Sequence, residues 1–468
     1  MKDYTTISRV YFIGIGGIGM SALARYYLSK NVIVAGYDKT WTALSRQLES
    51  EGADIHYEDN LELLDRDAEL VVYTPAIPKN HKEFNWYKDH DYEMAKRSDV
   101  LSQLTKSSFN ICIAGTHGKT TISTLVAHIL RDTGYGCNAF LGGISSNYNT
   151  NFWGSNNNTD VVEADEYDRS FLKLSPDVAV ITAMDADHLD IYGTVENMRE
   201  AFAAFAAKLK PGGILLSRFG MPGKDLIAAN HLRYSLQNES ADVYASNIRM
   251  QSGGYEFDVI AADWTMEQVK LNMGGMHNVE NAVVAIAIAQ YLKIEPDLIK
   301  KAIENFKGVK RRFEYLIPLG EAETIKNNVV FIDDYAHHPE ELKALIKSAK
   351  ALFEKRKCTV IFQPHLFSRT KDFAGDFAAA LDLADEVLLL PIYPARELPM
   401  EGVTSMLILN KMENKNASVV SQEQLLEYIG GNYLQTVQKS SFGQLLITAG
   451  AGNIDQLTAP INQILLEE

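Results

Sequence analysis

The chain has 468 residues, of which 46% are hydrophobic and 22% charged, and a formal net charge of −15. That length predicts two to four domains, and the composition is that of a soluble globular protein. The acidic balance excludes nonspecific binding to nucleic acid or anionic membrane, both of which need basic surface.

No run approaches the roughly 18 apolar residues a membrane helix needs, and the first ten residues lack a secretory layout. Cys112, Cys137 and Cys358 make no disulfide framework. A cytoplasmic protein is expected.

Short apolar runs alternate with helical patterns along the whole chain, which predicts α/β architecture with parallel sheets. The first block holds strand-like segments at 10–16, 31–38 and 69–76. Gly14, Gly16, Gly17 and Gly19 form a GxGxxG turn with one added glycine, followed by Met20 and a helical pattern. Glycines let backbone approach a pyrophosphate, and the helix start offers free N–H donors. Asp38 ends the next strand, where a ribose-contacting acid is expected. The motif leaves NAD and a nucleotide sugar both open.

A second block opens at 109–115 with Ala114-Gly115-Thr116-His117-Gly118-Lys119-Thr120-Thr121 between strand and helix. Here Lys119 is placed to neutralise β/γ-phosphates, Thr120 to reach Mg²⁺ (or Mn²⁺), and the backbone amides to cradle oxygens. Ile113 stands where the full GxxxxGK[ST] pattern has its first glycine. Downstream strands at 160–166 and 177–185 end in Glu163, Asp165, Glu166 and Asp168, and in Asp185, Asp187, His188 and Asp190. If these strands share a sheet with 109–115, their ends form one ligand edge, and oxygen ligands with one imidazole suit Mg²⁺ or Mn²⁺. Between about 210 and 275 crowded turn signals predict a small β meander.

Asn278 and Asn281 share a face at the start of an apolar helix. Lys310-Arg311-Arg312 gathers cations at a join near 306–311. The third block offers strands at 328–336, 358–364, 386–393 and 445–452. Their ends carry Asp333, Asp334, Tyr335, His337 and His338, then His365 and Arg369, then Arg396.

GIGGIGM, AGTHGKTT, EADEYDRSFL, DADHLDIYG, HNVENAVVAIAIA, KRRFE, DDYAHHPEE, QPHLFSRTKDF, PIYPARE and TAGAGNID occur in that order. Together they resemble the Mur ligases of peptidoglycan synthesis, over about residues 8–456. The resemblance implies three domains: a Rossmann-like UDP-sugar domain (1–106), a central ATP-binding domain with P-loop-type sheet and meander (107–309), and a Rossmann-like domain admitting the amino acid (310–468). It implies ATP-dependent ligation of L-alanine to the lactyl carboxylate of UDP-N-acetylmuramate through an acyl phosphate. The alternative is a family member that adds murein tripeptide in recycling. The enzyme would be a monomer or homodimer.

By the same resemblance the UDP-sugar contacts are Gly14, Gly16, Gly17, Gly19, Met20 and Asp38. ATP would meet Gly115, Thr116, His117, Gly118, Lys119, Thr120, Thr121, Asn278, Asn281, Arg312, Asp334 and Tyr335. Thr120, Glu163 and His188 would lie at Mg²⁺, and His337 and Arg369 at the amino acid. Lys119, His188, Arg312 and His337 would serve catalysis. Many relatives carry arginine where this chain has Leu366, which leaves Arg369 as the carboxylate-binding cation. Which of His188, His337 or His338 takes the ammonium proton stays open.

Overall fold

The computed structural model describes residues 3–185, 189–222, 226–251, 253–317, 328–395 and 397–466. Among these residues three sheets carry the fold, and all ten strand-like segments anticipated above contain one of their strands. The expected His188, Asp187 and Arg396 lie outside the described residues.

The first sheet runs in the order Asp54–His56, Ile33–Tyr37, Arg9–Ile13, Leu70–Tyr73 and Met94–Lys96, all parallel. Alternate residues of its central strand enter different cores: Val10 and Phe12 one, Tyr11 and Ile13 the other. Burial on both faces explains why the run is continuously apolar rather than alternating.

The ten-stranded second sheet has Val178–Ile181, Phe109–Ala114 and Thr159–Glu163 as parallel neighbours near its centre. It ends on one side in consecutive strands Val243–Gln251, Gly254–Ala261 and Thr265–Leu271, which are the expected meander.

The third sheet runs Glu314–Tyr315, Val329–Asp334, Gln444–Ala449, Lys357–Phe362, Glu386–Leu389 and Ala417–Val419, parallel except for its first strand. Val330 and Ile332 face one apolar cluster, Val329 and Phe331 the other. Phe331 is fully buried.

The chain divides into two compact units. Unit 1 comprises Met1–Ser246, Val259–Glu267 and Glu280–Phe306; unit 2 comprises Asn247–Asp258, Gln268–Val279 and Lys307–Glu468. Within unit 1 the helix Ile18–Ser29 is tied to the strand Thr150–Trp153. Asn151 is fully buried and donates to the Ile18 carbonyl at 2.6 Å and to Ser21 Oγ at 3.0 Å. Arg25 bonds Asn151 Oδ1 and pairs with Glu51 at 2.7 Å. Tyr26, Phe140 and Phe152 pack ring against ring beside this network. A buried amide and guanidinium are tolerated because their polar groups find partners.

Candidate active site

The phosphate loop leaves the strand Phe109–Ala114 and ends at the helix Lys119–Asp132. Gly115 (φ +129°) and Gly118 (φ +79°) hold positive φ, where a side chain is strained. Thr116 N donates to the Ala183 carbonyl at 3.1 Å, and the Thr182 hydroxyl donates to the His117 carbonyl. His117 and Asp185, both largely exposed, stand 3.5 Å apart. Thr121 is buried at the helix start, and the Asn281 amide oxygen lies 3.1 Å from where a Gly118 Cβ would be. That contact places Asn281 against the loop within unit 1.

Lys119 Nζ donates to the Gly115 carbonyl at 2.6 Å and to Glu166 Oε1 at 2.7 Å. Glu166 is almost completely buried; burial pushes its carboxyl upward while the Lys119 ammonium pulls it down. Thr120 Oγ1 donates to Glu163 Oε1 at 3.0 Å, and Gly142 N donates to Glu163 Oε2 at 2.9 Å. Ile113 pairs with Glu163 and Ala114 with Ile181 across the sheet. The three strands therefore end side by side, and ammonium, hydroxyl and carboxylate share one sheet edge, where α/β proteins bind ligands.

Hard oxygens from Thr120 and Glu163 fit Mg²⁺, which takes one or two carboxylates together with substrate phosphates and water. Among the described residues no group of three or more His, Cys, Asp or Glu side chains gathers to hold a metal ion without a ligand's help. Asp168 caps the amide of Ser170 at 3.0 Å instead.

In the first sheet, Gly14 (φ +91°) turns the chain, and its amide reaches the Tyr37 carbonyl at 2.7 Å. Gly17 precedes the helix without a side-chain cap, and Met20 is buried. The Asp38 carboxylate accepts from the amides of Gly16 at 2.8 Å and Thr40 at 3.0 Å, so it holds the turn's own backbone. A Cβ on Gly16 would lie 2.9 Å from Asp38 Oδ2, and one on Gly19 2.9 Å from Arg97 Nη1. Arg97 went unnoticed in the sequence because the strand before it, Met94–Lys96, has three residues and no apolar run.

In unit 2 the side chain of Asn278, 3% exposed, donates to the Gly274 carbonyl at 2.7 Å, closing the start of its own helix. Around Arg312 the chain is pinned on both sides. Arg311 (φ +62°) bonds the Gly450 carbonyl, stands 3.4 Å from Asp333 Oδ2, and takes the Tyr335 amide on its carbonyl at 2.7 Å. Phe313 (φ +49°) donates its amide to Asp334 Oδ2 at 2.7 Å, and Ala336 N binds Asp334 Oδ1 at 2.7 Å. Burial pushes the carboxyls of Asp333 and Asp334 up, to about 7 and about 6. Tyr335 is 41% exposed, with the Arg311 guanidinium 5.1 Å from its ring centre.

His337 Nδ1 lies 2.9 Å from the Tyr335 carbonyl, and its ring centre 6.1 Å from that of His365, which stacks on Tyr393. Burial lowers the pKa of both histidines. Arg369 Nη1 and His365 Nδ1 are buried without hydrogen-bond partners among the described residues. Leu366, between them in sequence, holds φ +71° and ψ 137°, a conformation costly for leucine and concentrated at functional sites. His338 instead forms a capping box with Glu341 at the helix Pro339–Leu352.

The family model described as "Mur ligase family, catalytic domain" matches residues 9–109, "Mur ligase middle domain" matches 113–289, and "Mur ligase, glutamate ligase domain" matches 311–452. The chain is 45% identical over 474 residues to the UDP-N-acetylmuramate–L-alanine ligase of Parabacteroides distasonis, covering 100% of this chain and 99% of that protein. It is 46% identical over 478 residues to the enzyme of the same name from Cytophaga hutchinsonii, covering 100% and 98%. The solved structure of the UDP-N-acetylmuramate–alanine ligase from Thermotoga maritima aligns with a TM-score of 0.82 at 27% identity, covering 97% of this chain and 98% of that one. A murein peptide ligase from Psychrobacter arcticus shares the fold, with a TM-score of 0.67 at 23% identity over 98% of each chain. With its whole length accounted for in this way, the chain belongs to the Mur ligase family.

Proposed function

We propose that this chain joins L-alanine to the lactyl carboxylate of UDP-N-acetylmuramate at the expense of ATP, a step in peptidoglycan precursor synthesis. One observation carries the chemistry: at the helix start behind the phosphate loop, Lys119 bonds Glu166 and Thr120 bonds Glu163, the carboxylates lying at and just past one strand end. The substrate pair follows the names of relatives about 45% identical over the full length.

A carboxylate is a poor electrophile, so a phosphate must first be installed as its leaving group. The lactyl oxygen attacks the γ-phosphorus and ADP departs. The neutral amine of alanine then attacks the acyl carbon, and phosphate leaves the tetrahedral intermediate. Such transfers between anions need cations and positioning rather than a protein nucleophile.

In this reading Lys119 steadies the β/γ-phosphates, and Asn278, Asn281, Arg312, Asp334 and Tyr335 complete the nucleotide site. Thr120 and Glu163, with His188, would hold Mg²⁺, which supplies positive charge against the phosphates. Gly14, Gly16, Gly17, Gly19, Met20 and Asp38 would shape the UDP-sugar site. Arg369 and His337 would receive alanine, Arg369 by the Nη1 that has no hydrogen-bond partner among the described residues. Residues 1–106, 107–309 and 310–468 would form the UDP-sugar, ATP and amino-acid domains of a cytoplasmic monomer or homodimer. Among the described residues no helix is long and apolar enough to cross a membrane.

The test supplies UDP-N-acetylmuramate and ATP with either L-alanine or murein tripeptide and follows phosphate release. Turnover with alanine is expected; turnover with tripeptide alone would reassign the substrate.

A further inference from the structure

Arg312 lies exposed between two residues in the left-handed region, Arg311 at φ +62° and Phe313 at φ +49°. Neither is glycine, and backbone of this kind persists only where its surroundings enforce it. The third sheet supplies that enforcement. The Arg311 carbonyl accepts from the Tyr335 amide at 2.7 Å, and the Phe313 amide donates to Asp334 Oδ2 at 2.7 Å. The Arg311 amide donates to Glu314 Oε2 at 2.8 Å. The Arg311 side chain, 18% exposed, donates to the Gly450 carbonyl and stands 3.4 Å from Asp333 Oδ2. Gly450 follows the strand Gln444–Ala449, and Asp333 belongs to its neighbour Val329–Asp334, so one guanidinium clasps the ends of two strands.

The pair is poorly built for stability alone. Asp333 is 2% exposed, and its other oxygen accepts from Thr448 Oγ1 at 2.6 Å. Arg311 Nε, although buried, finds no hydrogen-bond partner among the described residues. Removing two charges from water is unfavourable, and a pair at that separation offsets it only in part, so apolar side chains of similar volume can hold such a fold as well. What they would not reproduce is the directional hold of a guanidinium on the Gly450 carbonyl, which fixes the strained backbone that carries Arg312.

We propose that Arg311 and Asp333 are positioning residues: their ion pair keeps the strained segment 311–313 locked to the sheet edge, so that Arg312 presents its guanidinium to the nucleotide in one orientation. The proposal rests on the assignment of Arg312 to ATP above. Neither Arg311 nor Asp333 touches the nucleotide; both act through Arg312.

A mutant cycle on the full chain tests it, read as kcat/KM for ATP in phosphate release with UDP-N-acetylmuramate and L-alanine saturating. Replacing both partners by apolar residues, Arg311→Met with Asp333→Leu, keeps the urea midpoint near that of the parent but lowers kcat/KM for ATP by at least about tenfold. Arg311→Lys, which keeps the charge without the fork, retains part of that activity. Arg312→Gln lowers kcat/KM by itself, and adding the paired replacement to it causes little further loss, because the pair acts only through that guanidinium. UDP affinity, measured by calorimetry, stays unchanged throughout. Parent-like kcat/KM in the paired variant overturns the proposal, and so do losses that multiply in full when the paired variant is combined with Arg312→Gln. Should the paired variant not fold, Arg311→Lys carries the test alone: its loss must vanish in the Arg312→Gln background. Unaltered kcat/KM in Arg312→Gln would instead overturn the assignment of Arg312 itself, and this proposal with it.

Discussion

Replacing Gly115 by alanine tests whether the phosphate loop depends on backbone shape. At φ +129° the new residue is strained by about 1–3 kcal/mol. Its Cβ would also fall onto Thr182 Oγ1 and within 2.8 Å of the Thr182 and Ala183 amide nitrogens. The Thr182 side chain can rotate away only by giving up its bond to the His117 carbonyl. Its amide cannot retreat, because it donates to the Ala114 carbonyl at 3.0 Å. Overpacking of this kind costs about 1–3 kcal/mol more.

We expect a loss of about 2–5 kcal/mol in urea denaturation, the upper part of the range relieved by distortion of the loop. Lys119 is held by the Gly115 carbonyl, so that distortion moves its ammonium. ATP-dependent phosphate release should fall by at least about 100-fold in kcat/KM for ATP, as misplacement by 1 Å does elsewhere. UDP affinity, read at the other glycine turn, should stay unchanged. A Gly115→Ala protein with the stability and turnover of the parent would refute the reasoning.

Other substitutions read the remaining parts of the molecule. Lys119→Ala should abolish amide formation measured by product chromatography while UDP binding persists. Glu163→Gln should raise the Mg²⁺ concentration needed for half-maximal turnover at least several-fold, and an unaltered Mg²⁺ titration would argue against the metal assignment. Phe331→Ala, in the fully buried centre of the third sheet, should cost about 3–5 kcal/mol in denaturation midpoint experiments. Burial raises the Glu83 carboxyl from 4.5 to about 7, against hydrogen bonds from Tyr11 at 2.6 Å and the Asn60 amide at 3.1 Å. A folded-state pKa above the unfolded one means stability that is complete below about pH 4.5 and lost as pH rises through 7. Glu83→Gln should therefore flatten the fall in urea midpoint between pH 4.5 and 7.5, and an unchanged slope would count against it.

Strands buried on both faces were legible because most of their positions are apolar. The edges were not. Asp54–His56, Met94–Lys96, Glu314–Tyr315 and Ala417–Val419 have two or three residues each, and an edge strand needs no continuous apolar run. The phosphate loop was legible through Gly118-Lys119-Thr120, where spacing alone dictates which groups face a phosphate. What spacing could not give was pairing. The Asp38 carboxylate holds the amides of Gly16 and Thr40, and the Asn278 amide holds the Gly274 carbonyl. A polar residue at a strand end reads alike whether it meets a ligand or its own backbone. The position of Arg97 beside Gly19 brings it against a helix 78 residues earlier, which no local pattern reports.

The pair between Lys119 and Glu166 carries a last consequence. An anion arriving at the loop meets an ammonium already neutralised by a carboxylate 2.7 Å away, on a side chain almost fully removed from water. Gain from that single attraction is small, so free phosphate or sulfate should leave the loop empty at millimolar concentration. A polyphosphate chain wins by adding backbone amides and a metal ion to the same encounter. The loop should thus reject simple anions before it selects among nucleotides.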